Sequence, residues 1–329
     1  MALGYQSDRR TWRGWQVWPA WTHLRWVLFY RVRCFLIVAL MGVSCSSGGY
    51  ASKVKLYSQH ASFKPAGSTV AFCGQELKLS IETVRCESPK VTELGPLAAL
   101  KQLELLYINN TGVTSLAPLS DLRLRSLVLD RTSVEDLGPL REMRSLEMLS
   151  IESTAVVDLQ PLAGLTKLEV LFLKRTAVRD LSALSGLLRL KTLYADYTKV
   201  IDLSPLEKLT KLRFLGLHGT KIESLAPIKS LRALEFLSIG STPISDLRPI
   251  ERLTKLKRFY LSGTAVRDLG PTRTLRSLWR IAIRRTQIED LRPLHKLPKL
   301  RQIFLGDAAV GEAEVAALKR ANKRIKMMR

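Results

Sequence analysis

Residues 168–181 read Leu-Glu-Val-Leu-Phe-Leu-Lys-Arg-Thr-Ala-Val-Arg-Asp-Leu, and close variants of this stretch recur along most of the chain. With Leu168 as position one, leucine fills positions one, four and six, threonine position nine, valine position eleven and aspartate position thirteen. The position-nine threonines are separated by one step of 21 residues and then seven steps of 22. They are Thr111, Thr132, Thr154, Thr176, Thr198, Thr220, Thr242, Thr264 and Thr286. Such a period is the signature of a repeat architecture.

The apolar positions of the repeat predict a short strand followed by a tight turn. Because the leucines alternate along the strand, they all lie on one face, which points inward. The aspartate of the Asp-Leu-x-Pro-Leu segment can cap a tight helical turn, whose first residues tolerate proline. One unit cannot bury its leucines alone, but stacked units can. Extended in phase, the period gives eleven units over residues 81–310 and predicts a curved parallel sheet about 50 Å long.

This pattern resembles the leucine-rich repeat, specifically the short 22-residue class of the bacterial internalins. The family usually has asparagine where this chain has threonine, and a hydroxyl can replace only part of the hydrogen bonding between coils that asparagine provides. The resemblance implies an α/β solenoid with a curved parallel sheet on the concave face, short helical turns on the convex face and a cap at each end. It also implies protein–protein recognition, without specifying the partner.

The two ends of the predicted stack need covering. Residues 53–80 are expected to form the N-terminal cap, and residues 311–329 a capping helix that extends to Ile325 and a basic tail. Cys86 stands at an inward position of the first unit, and we expect it to pair with Cys73 in an oxidising compartment. That bond would stabilise the fold by about 3 kcal/mol. The alternative is two unpaired, buried cysteines.

The first 45 residues differ from the repeat region in composition. They hold five of the six tryptophans, followed by Arg31 and Arg33 and then an apolar run over residues 34–43. Basic residues, about ten apolar residues and then small residues are the order of a secretory signal. A membrane anchor over residues 24–43 is the alternative.

The end of this leader, Gly-Val-Ser-Cys at residues 42–45, resembles the lipobox of bacterial lipoproteins. Serine and cysteine match that motif, whereas the family usually has leucine where Gly42 stands. The resemblance implies lipidation of Cys45, export to a bacterial cell envelope and attachment to the membrane through the lipid. Residues 46–52 would then be a Ser/Gly linker.

The formal net charge of +23 is unevenly distributed. Residues 1–45 carry +5 and residues 319–329 carry +6, which leaves +12 on the body between them. A basic body favours acidic partners. Nucleic acid is disfavoured as the partner because no recognised nucleic-acid-binding motif accompanies the charge. An intracellular or membrane-surface protein that binds polyanions through this body and tail is the alternative to an exported binding scaffold.

Positions three, five, seven and eight alternate with the leucines, so they are expected to line the concave face. Large aromatic rings at such positions, together with arginine, are typical of interface hot spots. The predicted partner-binding residues are Phe172, Tyr194, Tyr197, Phe214, His218, Phe236, Arg258, Tyr260 and Arg280. The partner is expected to be a protein, with a glycan or another envelope component as the second candidate.

Small residues lie between these rings, including Gly216, Gly219 and Gly240. They predict a shallow hollow walled by Tyr194, Tyr197, Phe214, Phe236 and Tyr260. In the alternative interpretation the rings only shield strand edges and each other.

The sequence offers little for catalysis. His218 and Asp196 occupy position seven of adjacent units, so a contact between them is expected, but the nearest serines are poorly placed for proton transfer. No glycine-rich phosphate loop or CxxC metal pair occurs. We therefore predict no cofactor, no metal and no enzymatic activity. A hydrolase acting through His218 is the remaining alternative.

Overall fold

The computed structural model describes residues 69–328. The main element of this region is a single curved parallel sheet. Its twelve strands follow one another in chain order. They are β3 Thr83–Arg85, β4 Leu105–Tyr107, β5 Ser126–Val128, β6 Met148–Ser150, β7 Val170–Phe172, β8 Thr192–Tyr194, β9 Phe214–Gly216, β10 Phe236–Ser238, β11 Arg258–Tyr260, β12 Arg280–Ala282, β13 Gln302–Phe304 and β14 Lys326–Met328. A separate antiparallel hairpin, β1 Thr69–Phe72 and β2 Gln75–Lys78, precedes them.

Short helical turns cover the convex side. Within residues 69–328 these are 3₁₀-helices at Gly95–Ala99, Ala117–Leu119, Gly138–Leu140, Gln160–Leu162, Ser182–Leu184, Ser204–Leu206, Ala226–Ser230, Arg248–Arg252, Gly270–Thr274 and Arg292–Leu294. One α-helix, α1 Glu312–Ala321, follows the last of them. The predicted leucine-rich-repeat solenoid is confirmed.

The core is built by repetition of one layer. Leu171 on β7 pairs in register with Leu193 on β8, and Leu193 pairs with Leu215 on β9. Each of these leucines is fully buried. Because the register advances by one repeat per strand, every position of the repeat forms a column of equivalent residues across the sheet.

The threonines at position nine act within their own coil rather than between coils. The hydroxyl of Thr176 donates to the carbonyl of Leu173 at 2.7 Å, and the other eight repeat threonines make the same bond three residues back. All nine are buried. The expected partial replacement of an asparagine ladder is therefore wrong.

Main-chain hydrogen bonds link neighbouring coils. The residue before each repeat threonine, at position eight, has left-handed φ angles, such as 57° at Tyr197. In this conformation the amide of Tyr197 donates to the carbonyl of His218 on the next coil, at 2.6 Å. Gly219 and Gly263 occupy the same column, where glycine adopts the conformation without strain.

The position-thirteen aspartates hold the convex turns. Oδ1 of Asp180 accepts the amide of Ser182 at 2.7 Å, and the equivalent bond recurs in six other repeats. Leu181 stands between the two residues, at the position that precedes the helix. The aspartate therefore satisfies the first helical amide from one residue further out than a standard N-cap.

The amino-terminal end is closed by the hairpin and a disulfide. Val70 pairs with Leu77 across the hairpin, and both side chains are buried in the core. Cys73 in the hairpin turn is bonded to Cys86 after β3, with Cα atoms 6.0 Å apart. The predicted disulfide is confirmed. Residues 53–68 of the proposed cap lie outside the described residues, as does the leader with Cys45.

The carboxyl-terminal end differs from the sequence prediction. The helix α1 ends at Ala321 rather than at Ile325, and Asn322 donates its side-chain amide to the carbonyl of Leu300 at 3.0 Å. The chain then forms β14, which pairs in parallel with β13. The tail therefore supplies a twelfth strand where the period predicts eleven. Within residues 69–328, no helix combines the length and apolar composition needed to cross a membrane.

Candidate functional site

Four aromatic side chains form a continuous row across the concave face. The ring centroids of Phe172 and Tyr194 are 5.6 Å apart, those of Tyr194 and Phe236 are 5.7 Å apart, and those of Phe236 and Tyr260 are 5.5 Å apart. We call Phe172, Tyr194, Phe236 and Tyr260 the ring row. Parallel register brings these residues together, because the position-three and position-five columns lie side by side.

The hollow predicted between these rings is filled. A Cβ added to Gly216 would lie 2.5 Å from Cδ1 of Tyr194, because that ring leans across the glycine to reach Phe236 on β10. Gly240 receives the imidazole of His218 in the same way, with a closest approach of 2.6 Å. Side chains of the preceding strand therefore occupy the space above these glycines, and the expectation of an open hollow is wrong.

Not every predicted ring is available to a partner. Phe236 is only 4% exposed, so it supports its neighbours from below instead of serving as an exposed anchor. Phe214, its register partner on β9, is half-buried under the guanidinium of Arg213, which lies 5.7 Å from the ring centroid. Tyr197 is 49% exposed and packs edge-on against His218, with centroids 5.0 Å apart.

Charged groups line position seven in the amino-terminal half of the sheet. We call Asp130, Glu152 and Asp196 the acidic row; Lys174 stands between the last two. Burial raises the pKa of Asp130, and it raises that of Asp196 to about 6. Burial and the nearby Asp130 raise the pKa of Glu152 to about 7, against the opposing effect of Lys174.

His218 and Asp196 are adjacent, but they do not form a catalytic pair. Oδ1 of Asp196 accepts the backbone amide of His218 at 2.8 Å. The imidazole instead packs against Tyr197 and over Gly240. Burial and the charge of Lys174 lower the pKa of His218, which favours the neutral ring. A predicted Asp–His contact therefore exists, but through the main chain.

Three arginines occupy the opposite half of the face. We call Arg258, Arg280 and Arg284 the arginine patch. The guanidinium of Arg258 lies 5.0 Å from the ring centroid of Phe236, and that of Arg284 lies 5.6 Å from that of Phe304. Stacking on these rings holds the cationic groups in place.

Arg280 is the most firmly held of the three. Its Nε donates to Oε1 of Gln302 at 2.6 Å, and its Nη1 donates to Oη of Tyr260 at 3.3 Å. Its guanidinium also lies 4.7 Å from the ring centroid of Trp279. Sequence reasoning selected Arg258 and Arg280 but missed Arg284, although its position in the seventh column was a usable signal.

A different set of charges follows the edge of the sheet at position two, and we call it the edge ladder. Arg125 pairs with Glu147 at 3.2 Å, and Glu235 pairs with Arg213 at 2.6 Å and with Lys257 at 2.8 Å. Further pairs are Arg125–Glu104 and Lys191–Glu169. Each such exposed pair adds little stability, but the ladder neutralises its own charge.

Within residues 69–328, no group of three or more His, Cys, Asp and Glu side chains is arranged to hold a metal ion. The described chemistry of the face consists of aromatic surface, guanidinium groups and partly buried carboxyls. Such groups can bind and orient a partner.

Comparisons with known proteins agree with this architecture. The profile of the family described as a leucine-rich repeat region matches residues 186–325. No functionally curated protein matches the chain.

Among solved structures, internalin InlF of Listeria monocytogenes is 22% identical, with a TM-score of 0.65, over 78% of this chain and 83% of its own. Internalin C2 of the same bacterium is 29% identical, with a TM-score of 0.54, over 59% of this chain and 83% of its own. The ectodomain of the plant receptor kinase GASSHO1/SCHENGEN3 of Arabidopsis thaliana is 18% identical, with a TM-score of 0.58, over 72% of this chain and 33% of its own. The chain thus has the leucine-rich-repeat fold and is similar in structure to the internalins.

Proposed function

We propose that this protein is a non-enzymatic binding scaffold that recognises another protein through its concave face. The observation that carries the proposal is the ring row, which runs directly into the arginine patch on one continuous surface. Aromatic and arginine side chains dominate the binding energy of protein interfaces. The plant receptor ectodomain described above was solved in complex with CASPARIAN STRIP INTEGRITY FACTOR 2, so the same fold serves recognition elsewhere.

The test is photo-crosslinking in the native host. A photoreactive phenylalanine analogue replaces Tyr197 on the concave side, and in a matched variant it replaces Leu188 in a convex turn. These side chains are 49% and 54% exposed, so accessibility is comparable. We expect a protein adduct from position 197 and none from position 188. Adducts from position 188 alone, or adducts only to lipid or nucleic acid, would contradict the proposal.

We further propose that the protein is exported and anchored to the membrane through lipidated Cys45. The Cys73–Cys86 disulfide supports export, because disulfides persist in oxidising compartments. A separate part of the proposal is that the protein belongs to the short internalin class, and the 22-residue register of the sheet supports this. Intact-mass spectrometry of the full chain, expressed in a bacterial host with a lipoprotein pathway, tests this. We expect an acylated chain that begins at Cys45; an intact leader with reduced cysteines would refute export.

A further inference from the structure

We propose that the arginine patch binds a carboxylate-rich segment of the protein partner, while the less acidic part of the same partner lies along the ring row. This inference rests on the proposed concave-face function and specifies the partner's chemistry. Three observations carry it: arginines held without counter-charges, a face whose charge changes from basic to mixed along its length, and aromatic surface adjoining the patch.

The first observation is that the arginine patch is ordered but not neutralised. Within the described part of the chain, none of Arg258, Arg280 and Arg284 has a carboxylate within ion-pair distance. Their supports are rings, an amide and a phenol, which leave the positive charge uncompensated.

The edge ladder provides the contrast. Arg213 and Lys257, on the two coils that flank the coil of Glu235, share this glutamate as their anionic partner. The repeat can therefore supply a carboxylate beside a cation at position two. On the concave face of the same coils no such carboxylate accompanies the arginines, so we infer that the partner provides it.

The second observation is the distribution of charge along the face. At positions three, five and seven of β9 to β14 there is no acidic residue, whereas the arginine patch and Lys326 are basic; at position eight Asp307 pairs with Arg285. The acidic row lies at position seven of β5 to β8, where it is interleaved with Lys174 and, at position eight, with Arg131 and Arg175. The face is thus basic towards its carboxyl-terminal end, whereas carboxyls and cations alternate before its middle.

This change along the face favours a protein segment over a nucleic acid. A nucleic-acid backbone carries uniform negative charge, and a strand laid along the face would move from the arginine patch onto the acidic row within a few strands, at about 4.8 Å per strand. A polypeptide can place carboxylates at one end and neutral or basic residues at the other. It therefore complements both halves of the surface.

The third observation is that the patch is held rigidly and adjoins aromatic surface. Arg258 and Arg280 are register partners on adjacent strands, so two carboxylates that lie close in a partner's sequence can each meet one guanidinium. Arg280 is already fixed by Gln302 and Tyr260, so little side-chain freedom is lost on binding. Tyr260 belongs to both the patch and the ring row, which joins the polar and apolar parts of the site.

The test is selection of peptides from a displayed random library against the full protein, followed by affinity measurement. We compare the native protein with the triple variant R258Q/R280Q/R284Q. The matched control is R232Q/R252Q/R276Q, which removes the same charge from exposed convex arginines. Single-stranded oligothymidylate serves as the nucleic-acid probe.

We expect the enriched peptides to be rich in aspartate and glutamate. Their affinity should fall about tenfold or more in the patch variant and in peptides with glutamine for glutamate, and stay unchanged in the convex control. If the triple variant folds poorly, R284Q alone serves as the test. Among the supports described, Arg284 stacks only on Phe304, so this change should leave the fold intact and still weaken binding severalfold.

Each of the following results would refute either this inference or the proposed function. Peptides without acidic residues that bind the concave face, or binding unaffected by the patch variant, would refute this inference and leave the proposed function standing. Binding lost only in the convex control would refute the proposed function as well. Oligothymidylate that binds more tightly than any peptide and is released by the patch variant would assign the patch to nucleic acid.

Discussion

Glu152 should make the stability of the fold depend on pH in a direction opposite to that of most carboxylates. Burial and the nearby Asp130 raise its pKa from 4.5 to about 7. A carboxyl with a higher pKa in the folded protein than in the unfolded chain binds more protons when folded. Its contribution to stability therefore falls as pH rises from the lower value to the higher one.

The magnitude follows from the shift. Each pKa unit corresponds to about 1.4 kcal/mol, so this shift amounts to at most about 3 kcal/mol, lost between about pH 5 and pH 7. Replacing Glu152 with glutamine keeps the neutral shape and removes the charge. We expect the variant to resemble the native protein at about pH 5 and to be more stable by about 1–3 kcal/mol at about pH 8.

Urea unfolding followed by circular dichroism, at both pH values, measures this difference. Asp196, whose pKa is about 6, also titrates in this range, so the informative quantity is the free energy of unfolding of the variant minus that of the native protein at each pH. The control is Glu135→Gln, which alters an exposed glutamate. An equal difference at both pH values for Glu152→Gln would refute the assignment of a raised pKa to this carboxyl.

Three further changes test the packing. Gly216→Ala places a methyl group against the ring of Tyr194 and should destabilise by about 1–3 kcal/mol, with a changed near-ultraviolet dichroism of the aromatic side chains; an unaltered spectrum would contradict the seating of that ring. Reducing the Cys73–Cys86 bond should lower the free energy of unfolding by about 3 kcal/mol, measured by urea unfolding with and without reductant, and no change would show that the amino-terminal end is held by other contacts. Thr176→Val removes one buried hydrogen bond within a coil and should lower the free energy of unfolding by about 1 kcal/mol in urea unfolding; an effect of several kcal/mol would indicate a bond between coils instead.

The architecture could be predicted because one period determines almost all of it. Leucines at fixed positions must be buried, and equal repeat lengths bring equivalent residues into register, as Leu171, Leu193 and Leu215 illustrate. The Cys73–Cys86 bond was predictable for a related reason, because Cys86 replaces an inward leucine in the first layer.

The predictions that failed depend on directions that a period does not encode. Glycine at position 216 reads as a gap, but Tyr194 leans across it to the strand beyond. The threonine hydroxyl bonds backwards in its own coil, to the carbonyl three residues earlier. The twelfth strand was not predicted because Lys326–Met328 lies outside the repeat pattern. It follows from the end of α1 at Ala321, four residues earlier than the sequence suggests.

The candidate site was predicted in part. The columns were correct, so the rings and Arg258 and Arg280 do share one face. What sequence could not give was which of them are supports, such as Phe236, and how Arg280 is held by Gln302. Both depend on side-chain packing between neighbouring strands.

The central claim is that the concave face is the surface that binds a protein. Hydroxyl-radical footprinting of the full protein, alone and saturated with the partner identified by cross-linking, tests it most directly. The account predicts reduced oxidation of Tyr197, Tyr260 and Phe214 in the complex, with Leu188 on the convex side unchanged. Protection of Leu188 with no protection of the three concave side chains would contradict it.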